Sequence, residues 1–243
     1  MAKRSVGTDL GRLSLVAAEE RFLEPAIALA VDFAQRTAPT GELALLAGQR
    51  VYWKGSALFG KASVRYACKR ALLFQPLPRV REFANLRWLR RHLFQAPRPI
   101  AAGVIWRGGL PVHQFLATEE VADAVDLGRF FEAHPSAHPV RAEALDELAR
   151  EVARMHSLGF LHHDLFLRNV LVVAARPHSR VWFVDAWAGG PAPNLRAASY
   201  DLDCLLRDAR AHTTSAETEL FEAAYRAELA ALAVPARARR RES

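Results

Sequence analysis

The amino-acid sequence points to an α+β fold in two lobes: a small β-rich N-lobe, then a mainly helical C-lobe. Three observations carry this. Strand-like runs and turn signals crowd the first half, with one strongly patterned helix among them. Helical periodicity dominates after residue 119. One pair of apolar runs then interrupts the helices between residues 170 and 187. At 243 residues the chain suits one domain or two small lobes. We expect the N-lobe over 1–118, with a basic insert at 55–79, and the C-lobe over 119–243.

Residues 1–24 are mixed and basic at the start, and no element is assigned there. "PAIALAVDFA" is apolar but short, and Asp32 interrupts it, so it falls well below the ~20 residues of a spanning helix. Pro39-Thr40-Gly41 signals a turn, "ELALLAG" a strand, Gly48-Gln49 a second turn and "RVYWK" another strand. Residues 62–74 read as a basic amphipathic helix or an irregular arm. Lys61, Arg65, Lys69 and Arg70 punctuate that region, and Pro76 and Pro78 end it.

"VREFANLRWLRRHLF" is a helix. Val80, Phe83, Leu86 and Leu89 or Trp88 form its apolar stripe, and arginines cover the other side. "APRPIAAGVIWRGGLPVHQFLATEEV" reads as two strands about a turn at Gly108-Gly109. Helices return at "VDLGRFFEAH" and "RAEALDELAREVARMHSLG", where Leu145, Leu148, Val152 and Met155 share a face and Gly159 is placed to end the helix. "VLVVAA", a turn at "RPHS" and "RVWFVDAW" make a hairpin. "SYDLDCLLRDARAH" and "TELFEAAYRAELAAL" close the chain as helices, and "PARARRRES" is a charge run.

The formal charge is +7, which favours anionic partners such as phosphorylated metabolites, an acidic membrane face or nucleic acid. Two cysteines are too few for a disulfide framework and lack metal-site spacing. The start of the chain shows no signal-peptide pattern. These points fit a cytoplasmic protein whose membrane contact, if any, is peripheral.

The chemistry concentrates at "LHHDLFLRN", residues 161–169. His162, Asp164 and Asn169 form H-x-D-x-x-x-x-N, and Asp185 follows at the end of the next strand. A hairpin brings Asp164, Asn169 and Asp185 to one end of two adjacent strands. Two carboxylates and an amide there suit magnesium, which takes hard oxygen ligands and shares them with phosphate and water. One carboxylate can also orient an attacking hydroxyl. This is the pattern of the protein-kinase catalytic loop and metal aspartate, so the bilobal fold is expected to be protein-kinase-like. A kinase also needs a strand lysine and a helix glutamate. Glu82 is the sole acidic residue of its helix, while Lys54 and Lys69 both end strand-like runs.

"FLHHDLFLRNVLVV" and "VWFVDAW" resemble the lipopolysaccharide kinase family, the Kdo and core-heptose kinases. "GQRVYWKG" resembles the lysine strand of that family, and "FQPLPRVREFANLRWL" its glutamate helix. "FLATEEVADAVDL" resembles its lobe connector, and "SYDLDCLLRDA" a late helix opening with an aspartate–leucine pair. The likeness runs from about residue 43 to 209. It implies a basic insert between lysine strand and glutamate helix, which selects Lys54 over Lys69. It further implies that Lys54 contacts nucleotide phosphates and Glu82 holds Lys54. Asp164 would be the catalytic base, and His162 is expected beside it as a second catalytic residue that also braces the loop. Asn169 and Asp185 would bind Mg2+, and Glu119 and Val121 in the connector would contact ATP.

The sequence departs from protein kinases in three ways. No G-x-G-x-x-G precedes Lys54, Asp185-Ala186-Trp187 replaces Asp-Phe-Gly, and "AGGPAPNLRAAS" is short for a peptide platform. The last of these argues for a small or lipid-linked acceptor over a protein one, and the resemblance implies a sugar hydroxyl, of Kdo or heptose, in an anionic glycolipid. Lys61, Arg65, Lys69 and Arg70 could face it or an acidic bilayer, with Phe59, Tyr66 and Leu72–Phe74 dipping into the interface. Two alternatives stand beside this: a small-molecule, antibiotic or atypical protein kinase, and a non-catalytic nucleotide- or nucleic-acid-binding protein. An intact Asp164, Asn169 and Asp185 set weighs against the last. The sequence assigns no role to His163 or Arg168.

Overall fold

The computed structural model describes residues 1–36, 41–73, 76–136, 138–173, 180–192 and 198–239. Two turn expectations therefore lie wholly or partly outside it, "RPHS" and Pro39-Thr40-Gly41. Phe74, the side chains of Arg70, Leu72 and Leu73, and the last tail residues also lie outside the described residues. The chain separates into two compact units. One comprises Met1–Arg90 with Pro97–Val121, the other Arg91–Ala96 with Ala122–Ser243.

The first unit is built on six antiparallel strands: β1 (Ala2–Thr8), β2 (Gly11–Ala17), β3 (Glu42–Leu46), β4 (Gln49–Ala57), β5 (Pro99–Arg107) and β6 (Leu110–Glu119). Their order in the sheet is β1-β2-β5-β6-β4-β3. The β3–β4 turn is Ala47-Gly48, one residue before the position expected from sequence. Both residues take positive φ, 49° and 78°, as a two-residue turn matching strand twist requires.

Residues 1–24, to which sequence assigns no element, form the β1–β2 hairpin, a short 3-10 turn and the start of α1 (Leu23–Gln35). β1 is largely exposed and carries no apolar alternation, so it leaves no pattern to read. Its partner β2 buries Leu13, Leu15 and Ala17. α1 contributes Leu23, Ala26, Ala30 and Phe33 to the same core as Trp53, Ile105 and Phe115. Trp53 stacks on Phe115 with centroids 4.4 Å apart, and Phe33 tilts against Trp53 at 5.3 Å. Such aromatic pairs add about 0.5–1.5 kcal/mol beyond their buried area.

This core decides where Lys54 points. Along β4, Val51, Trp53 and Gly55 are buried, while Tyr52 and Lys54 face the opposite side of the sheet. The basic region between the lysine strand and the glutamate helix is helical, as α2 (Lys61–Leu73). α3 (Pro78–Arg91) follows, with proline at its first position. The α3 start is tied to the sheet through Gln114, whose Oε1 accepts the Arg79 amide at 3.2 Å while its Nε2 donates to Ser56.

The second unit holds β7 (Ala124–Asp126), α4 (Leu127–Ala133), α5 (Pro139–Ser157), β8 (Phe160–Leu161), β9 (Val170–Val173), β10 (Arg180–Phe183), β11 (Gly190–Pro191), α6 (Ala198–Ala209) and α7 (Ser215–Arg239). The expected hairpin is the β9–β10 pair, joined by β7 in a three-stranded sheet. The stripe along α5 is buried as its period requires, and Gly159 takes φ 75° just past the helix end. Arg141 locks the helices together. It pairs with Glu217 at 2.7 and 2.9 Å and donates to the carbonyls of Phe131, His134 and His212, so its buried charge is matched and hydrogen-bonded. Among the described residues, no helix is long and apolar enough to cross a membrane. Cys68 and Cys204 are free thiols.

Candidate active site

In the first unit, Lys54 Nζ lies 3.0 Å from Glu82 Oε1. The Glu82 side chain is fully buried and that of Lys54 is 12% exposed, so Glu82 is not one of the solvated glutamates usual on helices. Arg79 Nη1 binds the second carboxylate oxygen at 2.6 Å. One buried carboxylate thus holds two cations, one from the sheet and one from its own helix. Lys69 instead sits exposed on α2. Geometry therefore separates the two lysines that local sequence could not. Glu119 ends β6, with its amide bonded to the Arg98 carbonyl and its carboxylate 3.7 Å from Arg98. Val121 lies in the half-buried segment after it.

In the second unit, Asp164, Asn169 and Asp185 come together around one loop. Asn169 Nδ2 donates to the Asp164 carbonyl at 2.8 Å, and the Asn169 carbonyl accepts the Val184 amide at 3.0 Å. The first bond commits the amide nitrogen and leaves the amide oxygen as the donor atom for a cation. Asp185 is held at φ 57°, a left-handed conformation that is unusual for an aspartate beside a strand end.

His162 is completely buried, and its Nε2 donates to the Val184 carbonyl at 3.0 Å. Burial pulls its pKa below the usual value, although the Asp201, Asp164 and Asp185 carboxylates and the Val184 bond all push it upward. A neutral imidazole with its proton committed to backbone braces the loop against Val184, the residue between β10 and Asp185. It is poorly placed for proton exchange with a substrate.

The loop is pinned from α6. Asp201 accepts the His162 and His163 amides, each at 2.7 Å, and lies 3.2 Å from His156 Nε2. His156 Nδ1 in turn meets the Tyr225 hydroxyl at 2.8 Å. Burial raises the Asp201 carboxyl, but the bonds from His156 and the loop outweigh it, leaving the pKa below its ordinary value. Asp208, two helical turns further on, accepts the Leu167 amide at 2.8 Å. Sequence reasoning marks Asp201 only as the first member of the aspartate–leucine pair, without a role, and misses Asp208. Their signal is a pair of acids seven residues apart on the face of α6 that buries Cys204 and Leu205.

Residues 40–225 match the model of the lipopolysaccharide kinase (Kdo/WaaP) family. The chain belongs to this family. β1, β2 and α1 lie before the matched span. The chain is 33% identical over 144 residues to a 3-deoxy-D-manno-octulosonic acid kinase of Vibrio vulnificus (strain CMCP6), covering 58% of this chain and 55% of that one. For the same-named protein of Actinobacillus succinogenes the identity is 32% over 146 residues, covering 57% and 55%. The chain thus spans about half the length of the curated relatives it matches. A solved structure of WaaP in complex with acyl carrier protein superposes with a TM-score of 0.57 at 20% identity, covering 87% of this chain and 88% of that one. This likeness shows the protein-kinase-like fold.

The donor set of Asp164, Asn169 and Asp185 fits a hard cation. Among the described residues, no three His, Cys, Asp or Glu side chains form a metal-binding cluster. Two carboxylates and one amide oxygen nonetheless suit magnesium, which takes few protein ligands and completes its shell from phosphate and water.

Proposed function

We propose that this protein is an ATP-dependent kinase that phosphorylates a sugar hydroxyl of a lipopolysaccharide-like glycolipid. The acidic sugar Kdo is the first choice of acceptor, with heptose second. One observation carries the reading: Asp164 and Asn169 are tied together on a loop that His162 bonds to Val184, the residue just before a left-handed Asp185. Family membership and the names of the relatives support it.

In this reading the acceptor oxygen bonds to the γ-phosphorus as the bond to the β–γ bridging oxygen breaks, and ADP leaves. The hydroxyl proton passes to the Asp164 carboxylate. Lys54 binds nucleotide phosphates, and its own position is fixed by Glu82. Asn169 and Asp185 would hold magnesium, which when bound neutralises charge on the phosphoryl group. Glu119 and Val121 would contact the nucleotide from the connector that ends the N-lobe near residue 118. The exposed basic side chains Lys61, Arg65 and Lys69 on α2, with Phe59 just ahead of it, suit peripheral contact with an acidic cytoplasmic membrane face.

The test is ATP turnover with magnesium across Kdo-bearing glycolipid, heptose-bearing core, aminoglycosides and a generic protein substrate. Transfer to a glycolipid sugar that is lost in Asp164→Ala and in Asp185→Ala is the expected result. Transfer to another class, or full activity in Asp164→Ala, would overturn the assignment.

A further inference from the structure

Trp187 follows Asp185 by two residues, and its indole Nε1 donates to Asp164 Oδ2 at 3.3 Å. Arg168 Nη2 donates to the other oxygen, Oδ1, at 3.4 Å. Both bonds are long, near the limit of a useful hydrogen bond, so an incoming hydroxyl can displace them at small cost. The two donors are also unlike the rest of the loop. Leu165 and Leu167 are buried, whereas Trp187 is 39% exposed and the Arg168 side chain 63% exposed. The Arg168 guanidinium lies over the Phe166 ring at 4.3 Å, a cation–π contact that steadies it without neutralising its charge.

The Trp187 indole is not part of a buried core. It leaves much of its surface in water while its polar tip marks the carboxylate proposed as base. An aromatic face of that kind fits the C–H face of a sugar ring. A ring stacked there would set its hydroxyls beside Asp164, and Arg168 offers a cation at the same carboxylate.

We propose that Trp187 is the platform on which the acceptor sugar stacks and that Arg168 pairs with the anionic substituent of that sugar. Both are thereby acceptor-specificity residues. The proposal rests on the kinase reading and names the residues that choose its substrate. Placing the ring on Trp187 exchanges the indole N–H at Asp164 for the sugar hydroxyl. Pairing the substituent with Arg168 draws the guanidinium off the other oxygen. Acceptor binding thus frees the base from both of these resting partners.

The experiment compares Trp187→Ala, Trp187→Phe and Arg168→Gln in the full chain, with Kdo-bearing lipid A as acceptor and the methyl ester of its sugar carboxylate as control. Trp187→Ala should raise the acceptor KM about tenfold and leave the ATP KM unchanged, while Trp187→Phe keeps the acceptor KM within about threefold. Arg168→Gln should raise the acceptor KM for the acid and not for the ester. An unchanged acceptor KM in Trp187→Ala, or equal losses in Ala and Phe, would overturn the platform. Equal effects on acid and ester would overturn the role of Arg168. Calorimetric titration of the same glycolipid separates the platform from the kinase reading. Binding that Trp187→Ala loses, without phosphate transfer by the wild type, removes the kinase reading and keeps the platform. No binding to the wild type removes both.

Discussion

The Asp201 carboxylate accepts the amide of His163 at 2.7 Å, and His163 holds a φ of 60°. A side chain of α6 thus stabilises a left-handed backbone at the residue immediately before Asp164. The loop is held through the His163 backbone, while the imidazole packs at 5.9 Å from the Tyr200 ring of α6. His163→Gly should therefore fold and keep phosphate transfer, since glycine adopts this φ without strain. Asp201→Ala strands two amides and a ring nitrogen of His156, and should cost at least about 1–3 kcal/mol. Urea midpoints paired with activity assays check both. A His163→Gly protein as damaged as Asp201→Ala would contradict this division of roles.

Glu82 holds Lys54 and Arg79 together in a buried site. Removing the carboxylate leaves two cations facing each other, so Glu82→Ala should destabilise by about 3–5 kcal/mol. Lys54→Met leaves Glu82 paired with Arg79 and should cost clearly less, while still abolishing phosphate transfer. Denaturant unfolding of the two single variants and the double variant reads the coupling directly.

Gly189 has no room for a side chain. A Cβ there would lie far inside van der Waals contact of the Leu161 carbonyl oxygen and 2.5 Å from that of His162. Both obstacles are backbone, so the loop itself must shift. Gly189→Ala should destabilise by about 2 kcal/mol or more and lower kcat in the protein that still folds. A thermal melt indistinguishable from wild type would contradict the close approach.

Acid should weaken the fold in two stages. His162 is buried, and its pKa in the folded state is below the usual 6.5. The unfolded chain therefore takes up a proton first as pH falls below 6.5, and stability declines. The limit is about 1.4 kcal/mol per pH unit for one histidine. His113 is depressed by burial in the same way. Asp201 and Glu217, also depressed, contribute stability that is present above the ordinary carboxylate values and lost as pH falls through their lower folded values. Melting temperatures between pH 8 and 3 follow both stages, and His162→Gln should flatten the first.

The elements that period and turn chemistry specify are legible in the sequence. The α5 stripe, the β5–β6 pair and the β9–β10 hairpin lie where their patterns put them, because each buries one face against its own unit. β1 is not legible, whereas β2 alternates Leu13, Leu15 and Ala17 and does carry a strand pattern. β1 lies at the sheet edge and shows little apolar alternation.

The linear chain alone is enough to specify the catalytic-loop motif, its family and the general plan of strands before helices. Fixed spacing suffices there, since Asp164 and Asn169 sit on the short loop before β9 and Asp185 comes two residues after β10, the strand paired with β9. Which lysine meets Glu82 is settled by three-dimensional packing instead, because that pairing spans 28 residues and depends on which face of β4 the Trp53 core occupies. The same holds for the two roles the motif leaves blank. His163 gives its amide to Asp201, and Arg168 gives its guanidinium to Asp164. The first depends on a helix residue 38 positions away, whereas the second joins residues four apart and needs only the loop to fold back on itself.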